Sequence, residues 1–176
     1  MKLNPKKKKP IHGSELDPKF TSQVMEHEDA QGLHACFACG TCTAGCPIHE
    51  AFPEYDPKKI AKMVKLGMRK VLSSPHIWYC ATCHNCEQHC PQNVKFYNVL
   101  NVLKNLAAKE GYAPSPWVEQ TRSVMQSGLA LSVDEELVKK RKVLSLPAIK
   151  GDGTRAKRLV QITGADKIKA RRRGTE

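Results

Sequence analysis

Cysteine is the residue type whose spacing in this sequence most clearly indicates chemistry, and all eight cysteines lie between positions 36 and 90. Four of them follow the pattern C-x2-C-x2-C-x3-C-P, and the same pattern recurs 44 residues later. Because thiolates are preferred ligands of soft metals and of iron–sulfur clusters, two such runs predict two multinuclear metal sites. The two runs are Cys36, Cys39, Cys42, Cys46 and Cys80, Cys83, Cys86, Cys90.

The spacing within each run favours [4Fe–4S] clusters, which need one thiolate for each of four irons. Three cysteines at two-residue intervals wrap one cluster in a tight turn. The fourth, followed by proline, is directed away, and in two-cluster ferredoxins it ligates the other cluster. We therefore predict two [4Fe–4S] clusters and no catalytic residue. The first cluster is assigned to Cys36, Cys39, Cys42 and Cys90, and the second to Cys80, Cys83, Cys86 and Cys46.

Three alternatives fit the cysteines less well. Structural zinc usually takes two C-x2-C pairs separated by a spacer, whereas both runs here hold four cysteines and end in Cys-Pro. Disulfides are typical of secreted chains, and no apolar signal segment follows Met1. A [3Fe–4S] cluster would need one ligand to fail, although all eight positions are filled.

Side chains around the two runs are expected to tune or shield the clusters rather than to ligate them. Five histidines lie nearby, and we expect them to be partly exposed and to act through hydrogen bonding or charge. Phe37, Trp78 and Tyr79 are expected to keep water from the clusters. The histidines are His34, His49, His76, His84 and His89.

A glycine motif at positions 151–156, GDGTRA, matches G-x-G-x-x-A of dinucleotide-binding sites. Such a site needs a preceding strand and a βαβ context, and here Pro147 and a basic segment flank the motif. We therefore interpret it as part of a linker. The sequence contains no Walker motif and no nucleophile with a matching base.

Apolar residues recur at three- and four-residue steps outside the cysteine runs, which predicts a mainly α fold. Asp17-Pro18 predicts a helix start, with Gly32 as its stop, and Ser132 with Glu135 forms an S-x-x-E capping box for a fifth helix. The expected helices are 17–32, 56–72, 94–109, 115–128, one from 132 onward, and 155–164.

The net charge of the 176-residue chain is +12, and it is unevenly distributed along the sequence. Residues 112–176 hold fourteen Lys or Arg against seven Asp or Glu. No stretch of about 18 apolar residues could span a bilayer, and we expect a cytoplasmic protein. We predict four segments: a basic arm 1–16 with Lys6–Lys9, the two-cluster domain 17–111, a helical docking extension 112–165, and a basic tail 166–176 with Arg171–Arg173.

The flanking residues carry a family resemblance. The segment 36–47, CFACGTCTAGCP, resembles the first cluster motif of the C subunit of heterodisulfide reductase, and residues 78–91 resemble the second. Leu66-Gly67 between the motifs and Ile162-Thr163-Gly164 near the end also resemble that family, so that the likeness covers about residues 20–165.

That resemblance implies an α-helical ferredoxin fold and a role as an electron-relay subunit without its own catalytic site. It implies two partners in a hetero-oligomer, an A-type subunit that contains flavin and clusters and a cysteine-rich, disulfide-active B-type subunit. No two cysteines are adjacent here, so the disulfide chemistry of the B-type subunit is not expected of this chain. Related sulfur-oxidising or sulfate-reducing complexes are included in the resemblance.

Rival functions remain open at this point. A freestanding ferredoxin is disfavoured by the long basic extension, and a succinate-dehydrogenase-type subunit by the absence of further cysteines for a plant-type module. A zinc-stabilised nucleic-acid adaptor is disfavoured because no aromatic residues are interleaved with the basic clusters, and we expect no nucleic-acid partner.

Overall fold

Helices dominate the residues that the computed structural model describes, which are 10–131 and 133–171. Within these ranges the only β-type pairing is an isolated bridge between Ala113 and Ala170, so the prediction of a mainly α fold is confirmed. Five short 3₁₀ segments accompany the helices, at Gly13–Glu15, Glu28–Ala35, Arg69–Val71, Pro75–Trp78 and Ala165–Lys167. The helices are α1 (Pro18–Met25), α2 (Thr41–Ala44), α3 (Pro47–Ala51), α4 (Pro57–Lys65), α5 (Asn85–Gln88), α6 (Phe96–Lys109), α7 (Ser115–Ser127), α8 (Glu135–Val143) and α9 (Gly153–Thr163).

The chain divides into two compact units, residues 1–106 and 107–176, with the boundary inside α6. Most of the buried apolar side chains belong to the first unit, which also contains all eight cysteines. None of the described helices is both long enough and apolar enough to cross a membrane. The largest fully buried side chains of the first unit include Tyr55, Phe20, Leu33, Leu72, Ile77, Leu100 and Leu103.

Helix α1 begins where the sequence predicts but ends earlier. The Asp17 carboxylate accepts a hydrogen bond from the Lys19 amide at 3.0 Å, and Pro18 occupies the first turn. The prediction that Gly32 ends this helix is wrong, because the α-helix stops at Met25. The chain continues as the 3₁₀ segment Glu28–Ala35, which buries Ala30 and Leu33 through a three-residue repeat.

Helix α4 is shorter than the predicted span 56–72. It ends at Lys65 because Gly67 adopts φ +71, and the Gly67 and Met68 amides donate back to the carbonyls of Val64 and Met63. This is a Schellman-type C-terminus. The Asp17 amide donates to the Gly67 carbonyl at 2.8 Å, and a Cβ at Gly67 would lie 2.5 Å from the Asp17 oxygen. A side chain would therefore push α1 away from this turn.

The second unit contains α7, α8 and α9, and its glycine motif has a packing role. Asp152 caps α9 by accepting from the Thr154 amide at 2.9 Å, while a Cβ on Gly151 or Gly153 would collide with the carbonyls that end α7. No strand precedes the motif within the described residues, which agrees with the rejection of a dinucleotide site. The interpretation of the motif as a linker is wrong for its second half, because residues 153–156 form the first turn of α9.

Two further sequence expectations concern the ends of the second unit. Asp134, not Ser132, caps α8, since its carboxylate accepts from the Leu137 amide at 2.7 Å. Ser132 itself lies outside the described residues, as do the Lys6–Lys9 run and the last two arginines of the basic tail, Arg172 and Arg173.

Candidate iron–sulfur cluster sites

The two cysteine runs form loops with the same backbone conformation. Ala38 and Thr82, which are 44 residues apart, both have positive φ, at 59° and 56°. Gly40 and His84 are related in the same way, with φ of 94° and 61°. A one-turn helix follows in each copy, α2 in the first and α5 in the second. The repeat in sequence is therefore also a repeat in three-dimensional structure.

Three of these four left-handed positions are not glycine, which makes the loops strained. A non-glycine residue in this region costs on the order of 1–2 kcal/mol, and such strain is concentrated at ligand-binding sites. The turn brings backbone N–H groups to sulfur, since the Thr82 amide donates to Cys80 Sγ at 3.4 Å and the Val94 amide to Cys90 Sγ at 3.2 Å. Hydrogen bonds of this kind stabilise thiolates and help set the potentials of iron–sulfur clusters.

The first cavity is bordered by three cysteines of the first loop and by two of the second. Cys36, Cys39 and Cys42 meet Cys90 there, as the predicted ligand exchange requires. Cys86 also borders this cavity. The remaining lining comes from the first loop, α4 and the start of α6: Ala38, Gly40, Thr41, Lys58, Ala61, Pro91, Val94 and Phe96.

The second cavity has the reciprocal arrangement. Cys80, Cys83 and Cys86 of the second loop border it together with Cys46 of the first. Cys86 borders both cavities, so the two cavities adjoin. The other lining residues are Ile48, Tyr55, Pro57, Ala81, His84, Asn85 and Tyr97.

Burial makes bare thiolates costly at the centre of the site. It raises the pKa of Cys86 to about 12, with the neighbouring Cys80 thiolate and the Glu87 carboxylate adding to the effect, and it raises the pKa of Cys42 in the same direction. At the surface, hydrogen bonding from Thr41 lowers the pKa of Cys39. Because cluster ligands must be thiolates, the half-buried Cys42 and Cys86 would need the positive charge of bound iron to stay ionised.

The first loop is fastened to α4 by a hydroxyl. Thr43 Oγ1 donates to the Asp56 carboxylate at 2.7 Å and accepts from the Lys58 amide at 2.9 Å. Burial opposes the ionisation of Asp56, but hydrogen bonds from Thr43 and from the Lys59 amide outweigh it and hold the pKa of Asp56 below its ordinary value. The capped N-terminus of α4 is thereby tied to the loop that carries Cys42.

The second loop is held by different groups. The Glu87 Oε2 atom lies 3.1 Å from His84 Nδ1, and the His84 ring packs against Tyr97 with 4.4 Å between ring centroids. The Asn85 amide group donates to the Gly45 carbonyl at 3.3 Å, which links the two loops directly. Burial, reinforced by an interaction with Cys80, raises the pKa of Tyr55 and keeps its hydroxyl neutral beside this cavity.

Three aromatic residues in the lining were not predicted from the sequence. Tyr55, Phe96 and Tyr97 border the cavities, whereas Phe37, Trp78 and Tyr79 border neither. Phe37 and Tyr79 are 62% and 45% exposed, so the prediction that they shield the clusters is wrong. The signal that could have found Tyr55 is its position two residues before Pro57, at the start of the helix that separates the cysteine loops.

Of the five histidines, only His84 borders a cavity. His49 Nδ1 lies 2.8 Å from the Tyr55 carbonyl, and the His76 ring contacts Tyr79 at 5.4 Å between centroids. His34 contributes its carbonyl to the Lys65 ammonium, and the His89 ring approaches Gly45. That the histidines are not ligands stays a prediction, and the eight cysteines are the candidate donor set.

The donor set and its arrangement suit iron–sulfur clusters. All eight cysteines lie in the described part of the chain, and each is a free thiol, so no disulfide competes for them. Five cysteines border the first cavity and four border the second, with Cys86 common to both, so each cavity has the four sulfur donors that a cubane cluster takes. Among the described residues, no three His, Cys, Asp or Glu side chains converge on a point suited to a single metal ion.

The chain is similar in sequence to known proteins. Residues 32–94 match the family model of the 4Fe-4S dicluster domain. The iron–sulfur C2 subunit of the CoB–CoM heterodisulfide reductase of Methanocaldococcus jannaschii is 33% identical over 141 residues, which cover 76% of this chain and 75% of that protein.

Two other relatives agree with this match. The C2 subunit of the H2/formate:CoB–CoM heterodisulfide,ferredoxin reductase of Methanococcus maripaludis is 31% identical, and the match covers 77% of each chain. The iron–sulfur C subunit of the CoB–CoM heterodisulfide reductase of Methanopyrus kandleri is 31% identical, covering 79% of this chain and 76% of its own. With its eight thiols arranged around two adjoining cavities, the chain belongs to the family of iron–sulfur C subunits of heterodisulfide reductase.

Proposed function

We propose that this chain holds two [4Fe–4S] clusters and passes electrons between two partner subunits of a heterodisulfide-reductase-type complex. The observation that supports this most directly is that each cavity is bordered by three cysteines of one loop and also by the fourth cysteine of the other loop, Cys90 at the first cavity and Cys46 at the second. The proposed ligands of the first cluster are Cys36, Cys39, Cys42 and Cys90, and those of the second are Cys80, Cys83, Cys86 and Cys46.

The residues around the cavities have defined tasks in this proposal. When bound, each cluster takes up and releases one electron at a time. Tyr55, Phe96 and Tyr97 exclude water, and the amides of Thr82 and Val94 stabilise thiolate charge. Because Cys86 borders both cavities, the two sites are close enough for direct exchange. No residue here is assigned a role in bond making or breaking.

The partners are proposed from the relatives. Their names place them as C subunits of enzymes that act on the CoB–CoM heterodisulfide. We propose that electrons reach this chain from an A-type subunit, which contains flavin and clusters, and leave to a cysteine-rich, disulfide-active B-type subunit, in the cytoplasm. A related sulfur-oxidising or sulfate-reducing complex would use the same relay with another terminal substrate.

The second unit is proposed as the docking extension. Several of its large apolar side chains are exposed, which is typical of surfaces covered by partner proteins. Its helix α8 combines three basic residues in the last turn with apolar neighbours, which suits a partner surface of opposite charge. The exposed apolar residues are Trp117, Leu131, Val133, Leu137, Val138, Val143, Leu144, Leu146, Leu159 and Ile162.

Reconstitution of the relay tests this function. The full chain is purified anaerobically and mixed with A-type and B-type subunits from the same source, and the rate of electron transfer from the reduced A-type to the B-type partner is measured. We expect transfer to require this chain and to be lost in Cys83→Ala, a variant of an exposed ligand. Equal transfer without the chain would contradict the proposal.

A freestanding electron carrier is the second candidate function. Sedimentation of the chain with both partners distinguishes it from a complex subunit. A chain that stays monomeric with both partners and exchanges electrons equally with unrelated donors would be a diffusible ferredoxin. A stable complex with both partners supports the role as a subunit.

A further inference from the structure

The two cavities have the same type of proposed ligand, cysteine, but different charges around them. Lys58 borders the first cavity, whereas no lysine or arginine of the described chain borders the second. Position 43 in the first loop is threonine, and its counterpart 44 residues later, Glu87, carries a carboxylate. The repeat therefore gives both sites cysteine ligands at the same spacing, while the charged residues around the two sites differ.

The ammonium group of Lys58 is held against the first loop. The Lys58 amide donates to Thr43 Oγ1, which fixes the residue in the first turn of α4. Its half-buried side chain lies over Gly40, with Nζ 3.5 Å from the position that a Cβ on Gly40 would occupy. Because Gly40 lies between Cys39 and Cys42, this places a positive charge beside the first set of ligands.

A second cation supports the same loop. Lys65 Nζ donates to the Cys36 carbonyl at 2.6 Å and to the His34 carbonyl at 3.3 Å. Lys65 is exposed, so water screens its charge more than that of Lys58. Lys58, which borders the cavity, is thus the stronger candidate for an electrostatic effect.

The second site has a carboxylate close by. The Glu87 side chain is 17% exposed, and its Oε1 atom is buried with no hydrogen-bond partner among the described residues. Its other oxygen contacts His84, which borders the cavity. Lys104 is half-buried and interacts electrostatically with Cys80, but it does not border the cavity.

A charge of either sign next to a cluster changes the cost of adding an electron. A cation stabilises the reduced, more negative state and raises the reduction potential, and a carboxylate lowers it. Building on the proposed function, we propose that Lys58 raises the potential of the cluster at Cys36, Cys39, Cys42 and Cys90 above that of the second cluster. One electron then moves from the reduced second site to the oxidised first site, with no proton transferred.

Redox titration of the complete chain tests this assignment. The chain is purified anaerobically with its clusters, and EPR spectra are recorded across a range of potentials for wild type and Lys58→Gln. We expect the cluster with the higher potential to shift to a more negative value in Lys58→Gln, while the other cluster keeps its wild-type potential. Lys58→Arg, which keeps the charge, is expected to restore the wild-type value.

Two further variants make the readout specific. Lys59→Gln removes the adjacent, exposed charge of α4 and should move neither potential. Glu87→Gln should raise the reduction potential of the cluster with the lower potential. This shift has the opposite sign to that of Lys58→Gln and occurs at the other cluster. Unchanged potentials in Lys58→Gln, or equal shifts of both clusters, would overturn the inference.

Iron and sulfide analysis of the same samples separates this inference from the proposed function. A chain with both clusters but no response to Lys58→Gln refutes only the role of the lysine. A chain without iron refutes the two-cluster assignment and the role of the lysine together.

Discussion

The two cysteine loops have the same backbone conformation at their left-handed positions, but different residues hold and surround them. Ala38 and Thr82 occupy the same left-handed conformation, and a one-turn helix follows in both copies. Yet the first loop is tied to α4 through Thr43, whereas the second relies on the His84–Glu87 contact. The 44-residue repeat therefore determines the geometry of the proposed ligands, while residues outside the cysteine pattern determine the stability and the charge of each site.

The largest expected effect comes from removing ligands in pairs. If the fourth cysteine of each loop serves the other site, Cys36→Ala/Cys90→Ala removes two ligands of one cluster. Such a chain should lose about four of about eight irons, which is also the loss expected of Cys36→Ala or Cys90→Ala alone. Cys80→Ala/Cys90→Ala removes one ligand from each cluster and should lose nearly all iron. Iron and sulfide are measured on each purified variant.

The opposite result would show that each loop binds its own cluster. In that case Cys80→Ala/Cys90→Ala would lose no more iron than Cys90→Ala alone, and Cys36→Ala/Cys90→Ala would lose everything. The reciprocal pairs with Cys46 serve as the matched control, since Cys46 borders the second cavity.

The anchors of the loops predict a smaller, unequal effect. Thr43→Val leaves the Asp56 carboxylate and the Lys58 amide without their shared partner, which should cost about 1–3 kcal/mol. Glu87→Gln keeps a polar group near His84 and should cost less than about 1 kcal/mol. The temperature at which the visible absorbance of the clusters is lost should fall clearly only for Thr43→Val. Equal losses for both variants would remove this distinction between the loops.

Relief of backbone strain should stabilise the second loop more than the first. Thr82 is β-branched and exposed at φ 56°, so Thr82→Gly should stabilise the chain by about 1 kcal/mol. Ala38→Gly, at the equivalent position, should gain less because alanine tolerates positive φ better. Thermal unfolding followed by circular dichroism measures both variants. A destabilised Thr82→Gly chain would mean that the left-handed turn is not formed.

The smallest expected effect is a pH dependence confined to the anchor of the first loop. Because the pKa of Asp56 is lowered in the folded chain, its ionised form contributes stability above the ordinary aspartate pKa. That contribution is lost as the pH falls through the lowered value. Asp56→Asn should therefore be less stable than wild type at about pH 7, and the difference should shrink below about pH 4.

Paired thermal scans of wild type and variant measure this difference at each pH, so that acid loss of clusters common to both chains cancels. Asp17→Asn, which removes the negative charge of the α1 cap and keeps an acceptor oxygen, is the control for the loss of charge at a helix cap. An Asp56→Asn chain as stable as wild type at neutral pH would contradict the role of this carboxylate.

The cysteine pattern and the capping residues predicted the parts of the structure that depend on local sequence. The starts of α1 and α4 lie at Asp-Pro pairs, because a capping carboxylate and proline act within one turn, and α7 begins at Ser115-Pro116 with proline in its first turn and no side-chain cap. Cys46 borders the second cavity and Cys90 the first, as expected if each Cys-Pro step turns the chain away, and their assignment as ligands stays a prediction.

Features that depend on tertiary contacts could not be predicted. The apolar periodicity of 56–72 continues through Met68, Val71 and Leu72, all of them buried, and it conceals the break that Gly67 makes by approaching Asp17. Tyr55 and Lys58 border the cavities only because α4 packs beside the cysteine loops. No spacing rule along the chain contains that information.

Metal and sulfide analysis tests the central claim most directly. The full chain is purified anaerobically, its iron, zinc and acid-labile sulfide are quantified, and an EPR spectrum is recorded after dithionite reduction. We predict about eight iron and eight sulfide per chain, with signals from two interacting [4Fe–4S] clusters. Zinc without sulfide would contradict the two-cluster account and favour a structural metal site instead.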